Sequence, residues 1–396
     1  MSTSLKKLKI LVLCKRQYTG RDLLDDQYGR LFEIPEALAN RGISVTGITL
    51  SYRNKPTGSF VFKKVRWHSI NGLPFSPLTF VRQLRKISKV IKTINPDIIW
   101  ASSDAWHIQV AAVIAKKNNI PFIADLYDNY ESFLISKLPL VTTLYRFACS
   151  QAIGITSVTD TLSRYVARHT KCVASEIKIL GNGINPELFY PRDKIQARNF
   201  LKLPQEMKLI GTAGALTSSR GINILLNAFE KLSAKRADVR LVLAGPRDSI
   251  ITNYKNPNLI DLGIINPAKV PHFLSSLDVA VICNKDSSFG RYCYPQKLEE
   301  ISACQTSCLA ADVGELPALL LGHPDNLFKF NSPEDLSDKI NLLLMSKKKF
   351  VTPVNSWTDR ADALYTFMQQ CLAKHPCYRI TSMQENNLPV AKQLNK

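Results

Sequence analysis

The chain has no uninterrupted run of about 18 apolar residues, so no segment is expected to cross a bilayer as a helix. Its nine cysteines are odd in number and include no Cys-x-x-Cys pair, which argues against a zinc site and a disulfide framework. Histidine is scarce, and His68, His107, His169 and His272 are dispersed at no metal-ligand spacing. A Gly-x-Ser-x-Gly elbow, a Walker phosphate loop and an Asp-x-Asp pair are all missing, as are solenoid-length repeats and low-complexity tracts. Negative charge is in short supply too: 32 Asp and Glu face 52 Lys and Arg, for a net charge of +20. That imbalance implies an anionic partner, such as nucleic acid, an acidic membrane surface or a phosphorylated substrate.

The 396 residues suffice for two or three domains with full cores, and 45% hydrophobic against 21% charged is an ordinary globular balance. Met1-Ser-Thr-Ser-Leu-Lys-Lys leads directly into an apolar strand, so no signal peptide and a reduced, cytoplasmic setting are expected. Continuous apolar runs at Lys9–Cys14, Asp97–Trp100, Pro121–Ala124, Lys208–Thr212, Arg240–Ala244 and Val279–Cys283 read as parallel strands covered on both faces. Helical spacing separates them, at 31–41, 80–94, 110–116 and 223–233. Two alternating series predict an α/β chain with two doubly wound lobes. We divide it as 1–185, 186–356, a late helix at 357–374 packing back toward the first lobe, and a loose tail at 375–396. The helix at 80–94 sets an apolar stripe against Arg82, Arg85, Lys86, Lys89 and Lys92, most simply a solvated face on a helix packed against the sheet, with docking on anionic lipid as the alternative that the net charge supports.

The most informative stretch is Tyr294-Pro-Gln-Lys-Leu-Glu-Glu-Ile-Ser-Ala-Cys304. Pro295 fits a first helical turn, Leu298, Ile301 and Ala303 can face a core, and Lys297 and Glu300 can look back toward the loop before them. A carboxylate accepts two hydrogen bonds from a ribose diol, while a helix start attracts phosphate. This stretch resembles the Pro-x-Lys-Leu-x-Glu-x-x-Ala-Cys helix of the family 4 glycosyltransferases. Asn182-Gly-Ile-Asn185 with Phe189 and Pro191 resembles that family's link between lobes, and Gly211-Thr-Ala-Gly214 with Arg220-Gly221 its phosphate-side glycine turn. The resemblance implies a GT-B fold, two Rossmann-like lobes facing a central cleft, and retaining sugar transfer from a nucleotide-diphosphate sugar. It assigns donor binding to Gly214, Arg220, Gly290, Arg291, Lys297, Leu298 and Glu300. No metal and no cofactor beyond the donor substrate are expected, because cationic side chains can neutralise a departing diphosphate.

The sequence departs from the family in three places. Ala215 stands where a first basic residue is usual, leaving Arg220 to act alone or with Lys297 or Arg291. Eight positions before Glu300 stands Tyr292, so the usual first carboxylate is missing, with Asp286 a weak substitute. In Asp125-Leu-Tyr-Asp128, Tyr127 replaces a histidine; with an ordinary pKa of about 10 it is a poor base, and Asp128 is the better catalytic candidate. The catalytic set expected is therefore Asp128, Tyr127 and Arg220, with Arg21, Asp25 and Arg30 on the acceptor side. The chain reads as a cytoplasmic glycosyltransferase, peripheral on the inner face of a membrane, acting on an acceptor glycan or lipid-linked glycan in surface polysaccharide or glycolipid synthesis. A nucleotide-sugar epimerase of similar fold is the alternative. A nucleic-acid-binding protein is disfavoured, because aromatic residues are not interleaved with the basic ones.

Overall fold

The computed structural model describes residues 7–18, 21–71, 77–133, 140–170, 176–346 and 352–375; most of the tail expected to be loose lies outside them. The chain forms two compact units, Met1–Gly181 with Trp357–Lys396, and Asn182–Ser356.

The first unit is built on eight strands: β1 Lys9–Lys15, β2 Ser44–Ser51, β3 Gly58–Phe62, β4 Val65–Asn71, β5 Ile98–Ser102, β6 Phe122–Leu126, β7 Gly154–Ser157 and β8 Ile177–Ile179. Their order is β8-β7-β6-β5-β1-β2-β4-β3, parallel throughout except for β3 against β4. Interior strands β5 and β6 are buried at every residue, as an apolar strand covered on both faces must be. The β3–β4 edge hairpin was not foreseen. Its exposed and half-buried residues alternate, and its turn runs through Lys63 at φ 48° without a glycine to mark it.

Five helices belong to this unit's main run: α1 Arg30–Asn40, α2 Pro77–Ile94, α3 Ala105–Asn118, α4 Val141–Ser150 and α5 Asp160–His169. Asp104 caps α3 by accepting from the His107 N–H, and Asn119 closes it in the left-handed region. Ile34 and Leu38 of α1 share a core with Ile10, Val12 and Cys14, alternate residues of β1. Leu364 and Met368 of the late helix Trp357–Lys374 join that same core. In α2, Gln83, Ile87 and Ile91 are buried while Arg82, Arg85, Lys86, Lys89 and Lys92 are exposed.

The second unit carries β9 Lys208–Ala213, β10 Val239–Ala244, β11 Leu259–Asp261, β12 Val279–Ile282, β13 Cys308–Ala311 and β14 Leu327–Phe328. All are parallel, in the order β11-β10-β9-β12-β13-β14. Its helices are α6 Lys194–Leu201, α7 Ile222–Ser233, α8 Val270–Ser276, α9 Gln296–Ala303 and α10 Pro333–Met345, and Trp357–Lys374 becomes α11. Among its parallel strands each sheet reverses its order once, at β1/β5 in the first unit and at β9/β12 in the second. Open α/β sheets bind ligands outside the carboxyl ends of their strands at such a reversal.

Candidate active site

At the reversal of the second sheet lies a cavity of about 240 Å³. Ala215 and Arg220 reach it from beyond β9, Cys283 and Asn284 from beyond β12, and Tyr294 and Lys297 from the entry to α9. Two glycine turns make this approach possible. Gly214 has φ 110° and Gly245 has φ 135°, both in territory that side-chain residues rarely occupy. A methyl group on Gly245 would stand 2.1 Å from the Gly214 carbonyl oxygen, so the turns are packed backbone to backbone. One on Gly214 would stand 2.9 Å from Lys297 Cε and 3.3 Å from its Nζ, so the bare turn is what admits the ammonium group.

Two cations meet here. The Arg220 guanidinium lies 3.7 Å from the centroid of the Phe289 ring and is otherwise exposed. Lys297 is half-buried; burial pulls its pKa down, nearby Cys283 and Glu300 oppose that, and Arg220 adds to it. Neither forms an ion pair among the described residues. Glu300 stands one turn behind Lys297, half-buried and outside the cavity lining. Burial pushes its carboxyl up to about 7 against the pull of Lys297, and no described group donates a hydrogen bond to it.

The structure corrects several expectations. Pro295 is the N-cap of α9 rather than part of its first turn, which moves Glu300 into the second turn. Leu298, expected both to face the core and to lie at the donor, is 4% exposed and packs in the core with Ile301 and Cys304. The core position expected for Ala303 is taken by buried Ser302, whose hydroxyl donates to the Thr352 carbonyl. Gly290 makes its close approach to its own chain: a Cβ there would stand 2.0 Å from the Lys285 carbonyl oxygen. Arg291, expected at the donor, is exposed, outside the cavity lining, and ion-paired with Asp286. Residues that local reading missed complete the cavity: Phe289 under Arg220, and Asn284 donating to the Gly290 carbonyl at 3.0 Å; behind them, buried Glu299 accepts from the hydroxyl of the lining residue Tyr294.

In the first unit, Arg21 and Asp25 line an open polar cavity of about 470 Å³ with Asp22, Arg53 and Lys55. Asp25 pairs with Lys55 at 2.7 Å and Arg16 at 2.9 Å, and the Lys55 hydrogen bond leads in holding its carboxyl below the usual range. Arg30 does not stand with them. Its side chain is fully buried, paired with Asp125 at 2.7 Å and donating to the Leu180 carbonyl at 3.0 Å. Asp125 also accepts from Ser102 and Thr156, so it is committed to the core. Tyr127 and Asp128 follow β6 as half-buried residues; the Tyr127 hydroxyl donates to the Ser103 carbonyl, and Asp128 accepts from the Asn129 N–H. At the β1/β5 reversal, buried His107 is held by Asp104 at 2.7 Å, and Tyr52 donates to the same Asp104 at 3.2 Å. That His107 counted among the dispersed histidines shows what a spacing rule overlooks: its partner is its own helix cap.

Two Rossmann-like lobes, each with its polar groups gathered at a sheet reversal, define the GT-B class of fold. The chain belongs to the family 4 glycosyltransferases: the model described as Glycosyltransferase Family 4 matches residues 30–188, and that described as Glycosyl transferases group 1 matches residues 193–355. A D-inositol 3-phosphate glycosyltransferase of Stackebrandtia nassauensis is 23% identical over 62% of this chain, which spans 57% of that relative's length. The fold is similar to that of a sucrose-phosphate synthase from Thermosynechococcus elongatus, with TM-score 0.69 at 17% identity over 94% of this chain and 98% of the other. It is similar also to Anabaena HepE in complex with UDP, with TM-score 0.67 at 15% identity over 93% and 99%.

Proposed function

We propose that the protein is a glycosyltransferase that moves a sugar from a nucleoside-diphosphate sugar to an acceptor hydroxyl, with retention of configuration. The observation that carries this is the convergence of Arg220 and Lys297, neither ion-paired among the described residues, on one cavity at the β9/β12 reversal. HepE, similar in fold, was crystallised with UDP, which supports the same ligand class. Arg220 and Lys297 stabilise the charge that grows on the departing diphosphate, and Glu300 accepts from the ribose diol. In the first lobe, Arg21 and Asp25 receive the acceptor, and Asp128 and Tyr127 supply polar groups to the reacting sugar. The setting is surface polysaccharide or glycolipid synthesis on the cytoplasmic face of a membrane, with the protein bound peripherally.

Incubation with a panel of nucleotide sugars should release nucleoside diphosphate, and release should persist in EDTA because the proposed cations are side chains. Epimerised nucleotide sugar without diphosphate release would contradict transfer.

The pH dependence has a definite sign. Folded Glu300 keeps its proton to about pH 7, whereas an ordinary glutamate loses it near 4.5. The folded state thus binds more protons between those values, and stability falls as pH rises from 4.5 to 7. Over the same range the carboxylate that would accept from ribose appears, so nucleotide affinity should rise through about pH 7. With a nucleotide sugar, which has no free terminal phosphate to titrate in this range, calorimetry on Glu300→Gln should find that rise gone; an unchanged slope would remove Glu300 from donor binding.

A further inference from the structure

We infer that α2, α3 and α4 form one docking surface for an anionic bilayer, with α4 set into the lipid interface and α2 and α3 held on headgroup charge. Leu140, Leu144 and Phe147 are 71%, 51% and 63% exposed, and their spacing of four and three puts them on one side of α4 and its N-cap. Val113 of α3 and Val81 of α2 are also exposed, at 44% and 42%. The helices are neighbours in turn, α2 touching α3 and α3 packed along α4.

Their charge is wholly one-sided. Exposed Arg82, Arg85, Lys86, Lys89 and Lys92 on α2 and exposed Lys116 and Lys117 on α3 have no counterpart, because none of the three helices contains an Asp or Glu. Arg146 of α4 is engaged by Glu131 from outside the helices. An apolar stripe on a water-facing helix needs a cover, and a basic frame without carboxylates favours an anionic one. The second lobe offers a contrast: Leu342 and Met345 on α10 are equally exposed, but that helix carries Asp338 together with Glu334 and Asp335, which pair with Lys231 and Lys339, so it lacks the one-sided basic charge of α2 and α3.

This inference rests on the peripheral-membrane part of the reading above and adds to it the surface and the inserted helix. Co-sedimentation with vesicles of phosphatidylcholine, alone or mixed with phosphatidylglycerol, tests both. The wild type should pellet with the mixed vesicles only. Replacing Arg82, Arg85, Lys86 and Lys89 with glutamine should lower partitioning by about a hundredfold or more, and high salt should act alike. Leu144→Asp with Phe147→Asp should lower it by about tenfold or more, with the melting temperature unchanged because both positions are exposed. Leu342→Asp with Met345→Asp should bind as the wild type does. Phe147→Trp should add emission that is quenched by brominated lipid. A wild type left in the supernatant would overturn this surface and the peripheral reading together. An aspartate pair on α4 that pellets like the wild type would overturn the inserted helix and leave charge attraction standing.

Discussion

Replacing Lys297 with methionine is expected to lower turnover by about 10²–10³-fold while leaving the protein folded, the scale on which single charge-stabilising donors act in transition states. Methionine keeps an unbranched stem beside Gly214, where any Cβ would lie within 2.9 Å of that stem, and removes only the ammonium group. The wild-type ammonium is already disfavoured by burial, so its loss should not destabilise the lobe. Nucleotide affinity should weaken less than turnover, because negative charge on the diphosphate is greatest as the glycosidic bond breaks. Steady-state kinetics with calorimetric binding of UDP separates the two effects. Wild-type turnover in this variant would remove Lys297 from the chemistry.

Arg30→Met should cost about 3–5 kcal/mol of stability, because it strands the Asp125 carboxylate in a site with no exposure and leaves the Leu180 carbonyl without its donor. For a unit of this size that corresponds to a fall of roughly 10 °C in melting temperature. The double variant Arg30→Met with Asp125→Leu should recover part of the loss, since replacing both partners leaves no unpaired charge. Thermal melts of the wild type and the two variants check this. If Arg30→Met melts within a degree of the wild type, the pair is not structural and the acceptor-side expectation returns.

The contrast between these two residues explains what was legible in the sequence. Lys297, Gly214 and Arg220 sit in short stretches whose spacing is itself informative, so local reading brings them to one end of a sheet. The strands that carry them, β9 and β12, are continuous apolar runs and were equally plain. Arg30 looked like a loop residue because its partner lies 95 positions away and only the folded sheet brings them together. Phe289 was passed over for a similar reason: its ring meets Arg220 from the loop between β12 and α9. Leu298 fills the core as its place in the helical pattern led us to expect, while the tight packing of Gly290 against its own loop could be seen only in the fold. Helices α4, α5, α6 and α8 were not marked out by any apolar run, α10 was passed over despite its Leu342–Met345 run, and the β3–β4 hairpin lacked the glycine that would have announced its turn.

A crystal structure of the protein grown with saturating UDP tests the donor cavity most directly. The diphosphate should lie within hydrogen-bond distance of both Arg220 and Lys297, beyond the carboxyl ends of β9 and β12. UDP bound elsewhere on the chain, or a cavity holding only water while calorimetry shows no heat of binding, would contradict it.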